Sequence, residues 1–297
     1  MTPSSAASAT TRKANDALRA SLPFHDRSDF ENAKRGLIAE LPNNGVVKDS
    51  AGNVVWDLAA FRSFISEDVP TPETANPSLW RQAQLLMFGG LFEVVEGVYQ
   101  VRGADLSNMT IVEGDRGVII VDPLISKETA RYALDLYFAE RGTKPVTAII
   151  YSHSHIDHFG GVRGIVDEAA LEAGDVSIFA PDGFLDHAIE ENVYAGTAMG
   201  RRASYMYGNL LPKSATGQMT AGLGVTTSSG EPTVIPPTHI VERTGDKYTI
   251  DGIEHAFVMA PGSEAPSEMM WYMPKFKMLN MAEDSTHNMH NLYTLRG

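Results

Sequence analysis

One short segment constrains this chain of 297 residues more than any other part of it. Four of the six residues in that segment can bind a metal ion: His153, His155, Asp157 and His158. If the segment is extended, alternate side chains point to the same side, which groups His153, His155 and Asp157. The chain has nine histidines in all, so three within six positions favour a metal site over a solvated His-rich loop. Imidazole and carboxylate are ligands that zinc accepts.

The pattern around this segment predicts an α/β fold. Residues 146–151 form an apolar run typical of a buried strand, and they lead directly into the histidines. A second such run covers residues 118–123, and apolar positions three and four apart predict a helix over 127–141. Another helix is predicted over 162–174, and the Ser/Ala/Thr-rich residues 1–20 are expected to be mobile. The site therefore follows a strand at its carboxyl end, where α/β folds place ligands.

Composition excludes several kinds of chemistry. The chain has no cysteine, so disulfides, thiolate metal ligands and a cysteine nucleophile are impossible. A formal net charge of −13 argues against a nucleic-acid partner. The first 22 residues lack the apolar run of a secretory signal, and no stretch reaches the roughly 20 apolar residues of a membrane helix. We therefore expect a soluble, cytoplasmic protein with no membrane span.

The histidine segment resembles the signature of the metallo-β-lactamase superfamily. The matching residues are 151–161, YSHSHIDHFGG, and the strand followed by Asp122-Pro123 resembles the usual lead-in. Within the superfamily the chain is most similar to the alkylsulfatases, the branch that hydrolyses dodecyl sulfate. This resemblance runs from about residue 15 to the end of the chain and rests on five further segments: 108–110, 206–208, 222–227, 260–266 and 290–297.

The resemblance implies a metallo-β-lactamase αββα sandwich, which we expect to be incomplete at its C-terminus. It also implies two regions. Residues 1–80 are expected to form an N-terminal extension and linker, and residues 81–297 a partial metallo-β-lactamase-like catalytic domain.

The resemblance also implies which residues complete the site. In the family one glutamate lies in a PGxEAP segment, here Glu264, and another lies nineteen positions later, here Glu283. His153, His155 and Glu264 would then hold one Zn²⁺, Asp157 and His158 would hold a second, and Glu283 would bridge both. From side-chain chemistry alone, Glu268 rivals Glu264 and Asp284 rivals Glu283.

The activity implied is hydrolysis of alkyl sulfate esters, such as dodecyl sulfate, to alcohol and sulfate by a metal-bound hydroxide. Asp157, Glu283 and Arg296 are the expected catalytic residues, and Arg296, Tyr207 and His290 are expected to bind the small-molecule substrate. The plainer interpretations are a surface arginine near the chain end for Arg296, packing for Tyr207, and a loop histidine for His290. Cleavage at the C–O or the S–O bond stays open.

The chain departs from the family pattern beyond residue 297. Family members place a further histidine on the second zinc after the 290–297 segment, followed by a dimerisation domain and a sterol-carrier-like domain. We therefore expect the second zinc to bind weakly, with one zinc retained and the activity of this chain in doubt, and the full-length protein to be a homodimer.

Other functions remain open at this point. One is a different hydrolase on the same scaffold, such as a β-lactamase, a thioesterase or a lactonase. Another is an inactive fragment with a partial zinc site. An RNA-processing nuclease is disfavoured by the negative charge.

Overall fold

Three β-sheets and a set of helices make up the computed structural model of the chain, which describes residues 6–166 and 168–286. The strands, in chain order, are β1 (Leu37–Glu40), β2 (Val46–Lys48), β3 (Val54–Asp57), β4 (Gly90–Val95), β5 (Val98–Arg102), β6 (Met109–Glu113), β7 (Val118–Val121), β8 (Val146–Ile150), β9 (Ser177–Pro181), β10 (His239–Val241), β11 (Lys247–Ile250), β12 (Ile253–Met259), β13 (Met269–Met273) and β14 (Met278–Asn280). The helices are α1 (Ala9–Ser21), α2 (Ser28–Lys34), α3 (Leu58–Arg62), α4 (Pro77–Leu85), α5 (Lys127–Arg141), α6 (Glu168–Glu172), α7 (Phe184–Ile189) and α8 (Gly196–Tyr207).

The large sheet has eight strands in the order β1-β4-β5-β6-β7-β8-β9-β10, the small sheet has four in the order β11-β12-β13-β14, and β2 and β3 form a separate antiparallel pair. Within the large sheet β7 to β10 are parallel to one another, whereas β1 and β4 to β7 are antiparallel, as is the small sheet. A parallel sheet needs cover on both faces, which explains why β7 and β8 are continuous apolar runs.

Alternate residues of β7 and β8 point into two separate cores. Ile120 and its partner Ile149 face the cluster that includes Leu134 and Tyr137 of α5. Their neighbours on the opposite face pack with the small sheet, in a cluster that includes Ile119, Val121, Ala148, Ile150, Phe257 and Trp271. Helices, large sheet and small sheet are therefore stacked in that order, and the predicted α/β class is confirmed.

Helix α5 has the bounds that the apolar spacing predicts. Ser126 caps its first turn by accepting a hydrogen bond from the Thr129 amide, and Gly142 ends it with a φ of 82°. Its buried face carries Ala130, Ala133, Leu134 and Tyr137. In the part of the chain that the structure describes, no helix is long and apolar enough to cross a bilayer.

Two regions differ from the sequence-based expectation. Residues 9–20, expected to be mobile, belong to α1, which Asn15 anchors by donating hydrogen bonds to the carbonyls of Glu73 and Ala75, at 3.0 and 2.9 Å. The prediction of a single helix over 162–174 is wrong, because a 3₁₀ turn and α6 share that range.

The predicted boundary between an N-terminal extension and a catalytic domain at residue 80 stays a prediction. Strand β1 precedes that boundary and pairs with β4, which follows it, in the large sheet.

His255 gives the fold a pH dependence of its own. Its side chain is fully buried between the sheets and stacks on Phe257, and burial lowers the pKa of His255 to about 4. In the unfolded chain the same imidazole titrates near 6.5, so the unfolded state binds the proton first as the pH falls. We expect the free energy of unfolding to drop by about 2 kcal/mol between pH 7 and pH 5 through this residue alone.

Urea unfolding of the metal-free protein at both pH values measures this effect. His255→Phe should remove about 2 kcal/mol from the pH-dependent loss, whereas His239→Phe, which alters an exposed histidine, should leave the loss unchanged. An equal loss in the wild-type protein and in His255→Phe would contradict the assignment.

Candidate metal centre

The site lies where β8 leaves the large sheet and meets the connection between β12 and β13. The Ser154 amide donates to the Ser267 carbonyl at 3.2 Å, and the Met269 amide donates to the Ser152 carbonyl at 3.0 Å. These bonds attach the histidine segment to the start of β13. They bring the 260–268 loop of the small sheet beside the histidines.

Six of the sequence-predicted residues converge here in two groups that share one member. In each group, one ligand atom from every residue lies within 4.8 Å of the others. The first group is His153, His155, Glu264 and Glu283, and the second is Asp157, His158 and Glu283. The assignment of metal-binding roles to these residues stays a prediction, but their placement allows it.

The two glutamates occupy different positions in the cluster. Glu264 Oε2 lies 2.9 Å from His155 Nδ1 and 3.6 Å from His153 Nε2. Glu283 presents Oε2 at 3.8 Å from His153 Nε2 and Oε1 at 3.4 Å from His158 Nε2. Because its two oxygens face different histidines, Glu283 has the geometry of a bridging carboxylate.

The backbone of the histidine segment is extended only in its first half. His155 has φ −77° and ψ 141°, and a 3₁₀ turn follows at Ile156–His158. The turn directs Asp157 toward His158, with Oδ2 3.4 Å from His158 Nε2. Asp157 therefore joins the second group rather than the side of His153 and His155 that a fully extended segment predicts.

Two glycines allow the turn to approach its neighbours. A Cβ at Gly160 would lie 2.1 Å from the Ile125 carbonyl oxygen, and one at Gly161 would lie 2.0 Å from that of Pro123. Any side chain at either position would displace the histidine segment from the end of β7.

Asp122, which follows β7, orients two of the histidines. It has a φ of 54°, accepts hydrogen bonds from the Ser152 amide and hydroxyl at 2.8 and 2.7 Å, and lies 3.0 Å from His158 Nδ1. The Ser152 hydroxyl in turn lies 2.9 Å from His153 Nδ1. This network places the proton of each imidazole on Nδ1 and leaves Nε2 facing the cluster, as a metal ligand requires.

Charge and burial at the cluster suit a cation. Burial alone lowers the pKa of His158, but Asp157, Glu283 and Asp122 outweigh it and raise that pKa well above its usual value. Burial also lowers the pKa of His155, but the nearby carboxylates, first that of Glu264, outweigh it and raise that pKa. His158 Nε2 is buried, and within residues 6–166 and 168–286 it has no hydrogen-bond partner. A divalent metal ion bound between His158 Nε2 and the neighbouring carboxylates would give this nitrogen a partner.

The structure distinguishes the carboxylates that side-chain chemistry alone does not: Glu264 from Glu268, and Glu283 from Asp284. Glu268 Oε2 accepts hydrogen bonds from the amides of Glu264 and Ala265, at 2.9 and 2.8 Å, and Glu268 belongs to neither ligand group. Asp284 contributes to raising the pKa of Glu268, after burial, and also lies outside both groups. Glu264 and Glu283 are therefore the residues brought to the histidines.

Of the three residues predicted to bind the substrate, the structure describes one, Tyr207. Tyr207 is buried in a small apolar cluster with Leu106, Ile125 and Ala221. The next residue after Leu106 is Ser107, whose hydroxyl donates to the Asp157 carbonyl, so this cluster adjoins the site. The remaining two, His290 and Arg296, lie outside the described residues.

Glu191 is a site residue that sequence reasoning missed. It belongs to a π-helical segment, Glu190–Tyr194, and its Oε2 lies 3.7 Å from His155 Nε2. No motif marks it, because α7 and α8 bring it to the site from 36 positions along the chain. The sequence marks Asp122 only as the end of a strand motif and does not predict its contact with His158.

Fold and site together define an α/β protein with a candidate metal-binding cluster, and the comparison with known families agrees. The model of the metallo-beta-lactamase superfamily matches residues 102–263, more than half of the 297 residues. The chain belongs to this superfamily.

The chain is similar to alkylsulfatases over nearly its whole length. It is 60% identical over 287 residues to a linear primary-alkylsulfatase of Pseudomonas sp., covering 97% of the chain and 42% of that protein. It is 50% identical over 288 residues to an alkyl/aryl-sulfatase of Saccharomyces cerevisiae, covering 97% of the chain and 44% of that protein. The predicted resemblance to this branch is confirmed.

A solved structure agrees with these matches. The stereoselective inverting secondary alkylsulfatase of Pseudomonas sp. is 51% identical to the chain and superposes with a TM-score of 0.93, over 99% of this chain and 46% of that one. The chain thus spans less than half the length of the relatives it matches.

Proposed function

We propose that this chain carries the metal centre of an enzyme that hydrolyses alkyl sulfate esters to alcohol and sulfate. The observation that carries the proposal is the pair of ligand groups joined by Glu283, in a chain 60% identical to a linear primary-alkylsulfatase. Two ligand groups that share a carboxylate are typical of hydrolytic sites that hold two metal ions.

The donor set favours zinc, with His153, His155 and Glu264 holding one ion, Asp157 and His158 a second, and Glu283 in contact with both. When bound, such ions polarise an ester oxygen and lower the pKa of water toward neutrality. The chain itself fixes the ligands: Asp122 holds the imidazole of His158 directly and that of His153 through the Ser152 hydroxyl, each with Nε2 toward the cluster.

Exposure defines the side from which a substrate approaches. The side chains of His153 and Asp157 are 0% and 6% exposed, whereas those of Glu264 and Glu283 are both 27% exposed. The histidines thus form the floor of the site and the glutamates its solvent side. Glu283, which lies on this open side, is proposed to contribute to catalysis through the metal ions that it would hold.

An anionic ester needs positive charge at the site. The chain carries a formal charge of −13, and the two ligand groups alone contain three carboxylates, so bound cations would favour a sulfate ester there. Bound metal ions reverse the local sign. Arg296 and His290 are proposed to add hydrogen-bond donors to the sulfate, and Tyr207 to line an apolar wall for the alkyl chain.

A panel of substrates tests the proposal. With excess Zn²⁺, the protein should release sulfate from dodecyl sulfate, and hydrolysis of a cephalosporin, a thioester and a lactone should be at least about 100-fold slower. Preference for one of those three would replace the alkyl sulfate with another class of substrate. Hydrolysis of none of the four would contradict the proposed activity of this chain and favour the inactive fragment with a partial zinc site.

A further inference from the structure

Glu268 is a buried carboxylate that the proposed chemistry does not use. Its residue exposure is 0%, and its Oε2 accepts three hydrogen bonds from one side of the 260–265 turn. The donors are the Ser263 hydroxyl at 3.0 Å, the Glu264 amide at 2.9 Å and the Ala265 amide at 2.8 Å. The carboxylate therefore lies inside the turn that carries Glu264.

The backbone of the same residue is attached to the histidine segment. Glu268 forms an antiparallel bridge with His153, and hydrogen bonds from Ser154 to Ser267 and from Met269 to Ser152 flank that bridge. One residue thus connects two segments that are more than 100 positions apart in the chain. Its main chain aligns His153, and its side chain holds the backbone of Glu264.

The buried carboxylate of Glu268 needs interactions that replace its lost solvation. Removing an ionised group from water is costly unless hydrogen bonds or a counter-charge replace the solvent. Burial raises the pKa of Glu268, and Asp284 adds to that rise. Oε1 of Glu268 is buried without a hydrogen-bond partner in the described part of the chain. The three bonds to Oε2 all go to the turn that bears Glu264.

We propose that Glu268 is a positioning residue for the metal centre: it fixes the backbone of Glu264 so that the Glu264 carboxylate meets the imidazoles of His153 and His155. The inference rests on the proposed metal-dependent function. Glu264 Oε2 lies 2.9 Å from His155 Nδ1, and the Cα and Cβ of Glu264 follow directly on the amide that Glu268 holds. Groups that orient metal ligands typically change metal affinity by about 10–100-fold.

Metal affinity and ligand geometry test this role independently of turnover. Zn²⁺ affinity is measured by competition with a chromophoric chelator, and the visible absorption of bound Co²⁺ reports the coordination geometry. Glu268→Ala should weaken Zn²⁺ binding about 10–100-fold and change the Co²⁺ spectrum. Glu268→Gln keeps an oxygen that accepts the same bonds, and should restore both to within a few-fold of the wild-type values.

Two further variants make the comparison sharper. Ser263→Ala removes one of the three donors and should weaken Zn²⁺ binding a few-fold, which keeps the test decisive if Glu268→Ala does not fold. Glu254→Ala removes an exposed glutamate of β12 that pairs with Lys247, and should leave affinity and spectrum unchanged. Thermal unfolding of each metal-free variant separates loss of fold from loss of ligand geometry.

The outcomes distinguish this inference from the proposed function. Wild-type affinity and an unchanged Co²⁺ spectrum in folded Glu268→Ala would overturn the positioning role and leave the metal centre intact. The positioning role would also be overturned if Glu268→Gln lost as much Zn²⁺ affinity as Glu268→Ala. If Glu268→Ala does not fold, wild-type Zn²⁺ affinity in Ser263→Ala would overturn it. A wild-type protein that binds neither Zn²⁺ nor Co²⁺ would overturn the proposed function itself.

Discussion

Replacing Glu283 by alanine is expected to reduce sulfate release from dodecyl sulfate by about 1,000-fold, which corresponds to about 4 kcal/mol of transition-state stabilisation. Glu283 is the residue that both ligand groups share, with one oxygen toward His153 and the other toward His158. Its loss therefore disturbs both metal positions at once, whereas loss of Glu264 would disturb one.

Glu254→Ala is the matched control for this variant. It removes a glutamate whose side chain is 47% exposed and outside both ligand groups, so kcat/KM should stay within about twofold of wild type. Metal content, measured on the same samples, should fall in Glu283→Ala only. Activity within a few-fold of wild type in Glu283→Ala would contradict the bridging role.

The second large effect concerns stability. Adding Zn²⁺ to the metal-free protein at pH 8 should raise the melting temperature by about 5–15 °C. A ligand that binds only the folded state at 1,000 times its Kd stabilises that state by about 4 kcal/mol. The metal-free site holds carboxylates close together, and the ion relieves that repulsion.

The increase in melting temperature should become smaller as the pH falls. The pKa values of His155 and His158 are raised in the metal-free protein, so at lower pH these imidazoles hold protons that a metal ion must displace. His153→Ala should abolish most of the increase, whereas His239→Ala, at an exposed histidine, should retain it. A wild-type melting temperature that Zn²⁺ does not change would show that the cluster binds no ion.

Local patterns were enough to predict the centre of the fold. The apolar spacing gave the bounds of α5, and the apolar run before the histidines corresponds to β8. These elements are predictable because each depends on contacts along one strand or one helix face. The N-terminal helix α1 was missed, because its anchor is Asn15 bonded to carbonyls nearly 60 positions away.

The candidate site, like the fold, was predictable from local sequence only in part. His153, His155 and His158 stand together in the sequence, so their convergence is predictable from spacing. Glu264 and Glu268 are both carboxylates four positions apart, so side-chain chemistry alone does not distinguish them; the family resemblance selects Glu264, and the structure agrees through the direction of each side chain. That direction depends on the pairing of the 260–268 loop with the histidine segment, which is a tertiary contact between two sheets.

The most direct test of the account is to measure bound zinc per chain and sulfate release from dodecyl sulfate on the same samples during a Zn²⁺ titration of chelator-treated protein. We expect no turnover in the metal-free protein and a rate that rises in step with bound zinc. Turnover that survives metal removal, or zinc that binds at the histidine cluster without sulfate release at any occupancy, would contradict the proposal that this cluster hydrolyses alkyl sulfates.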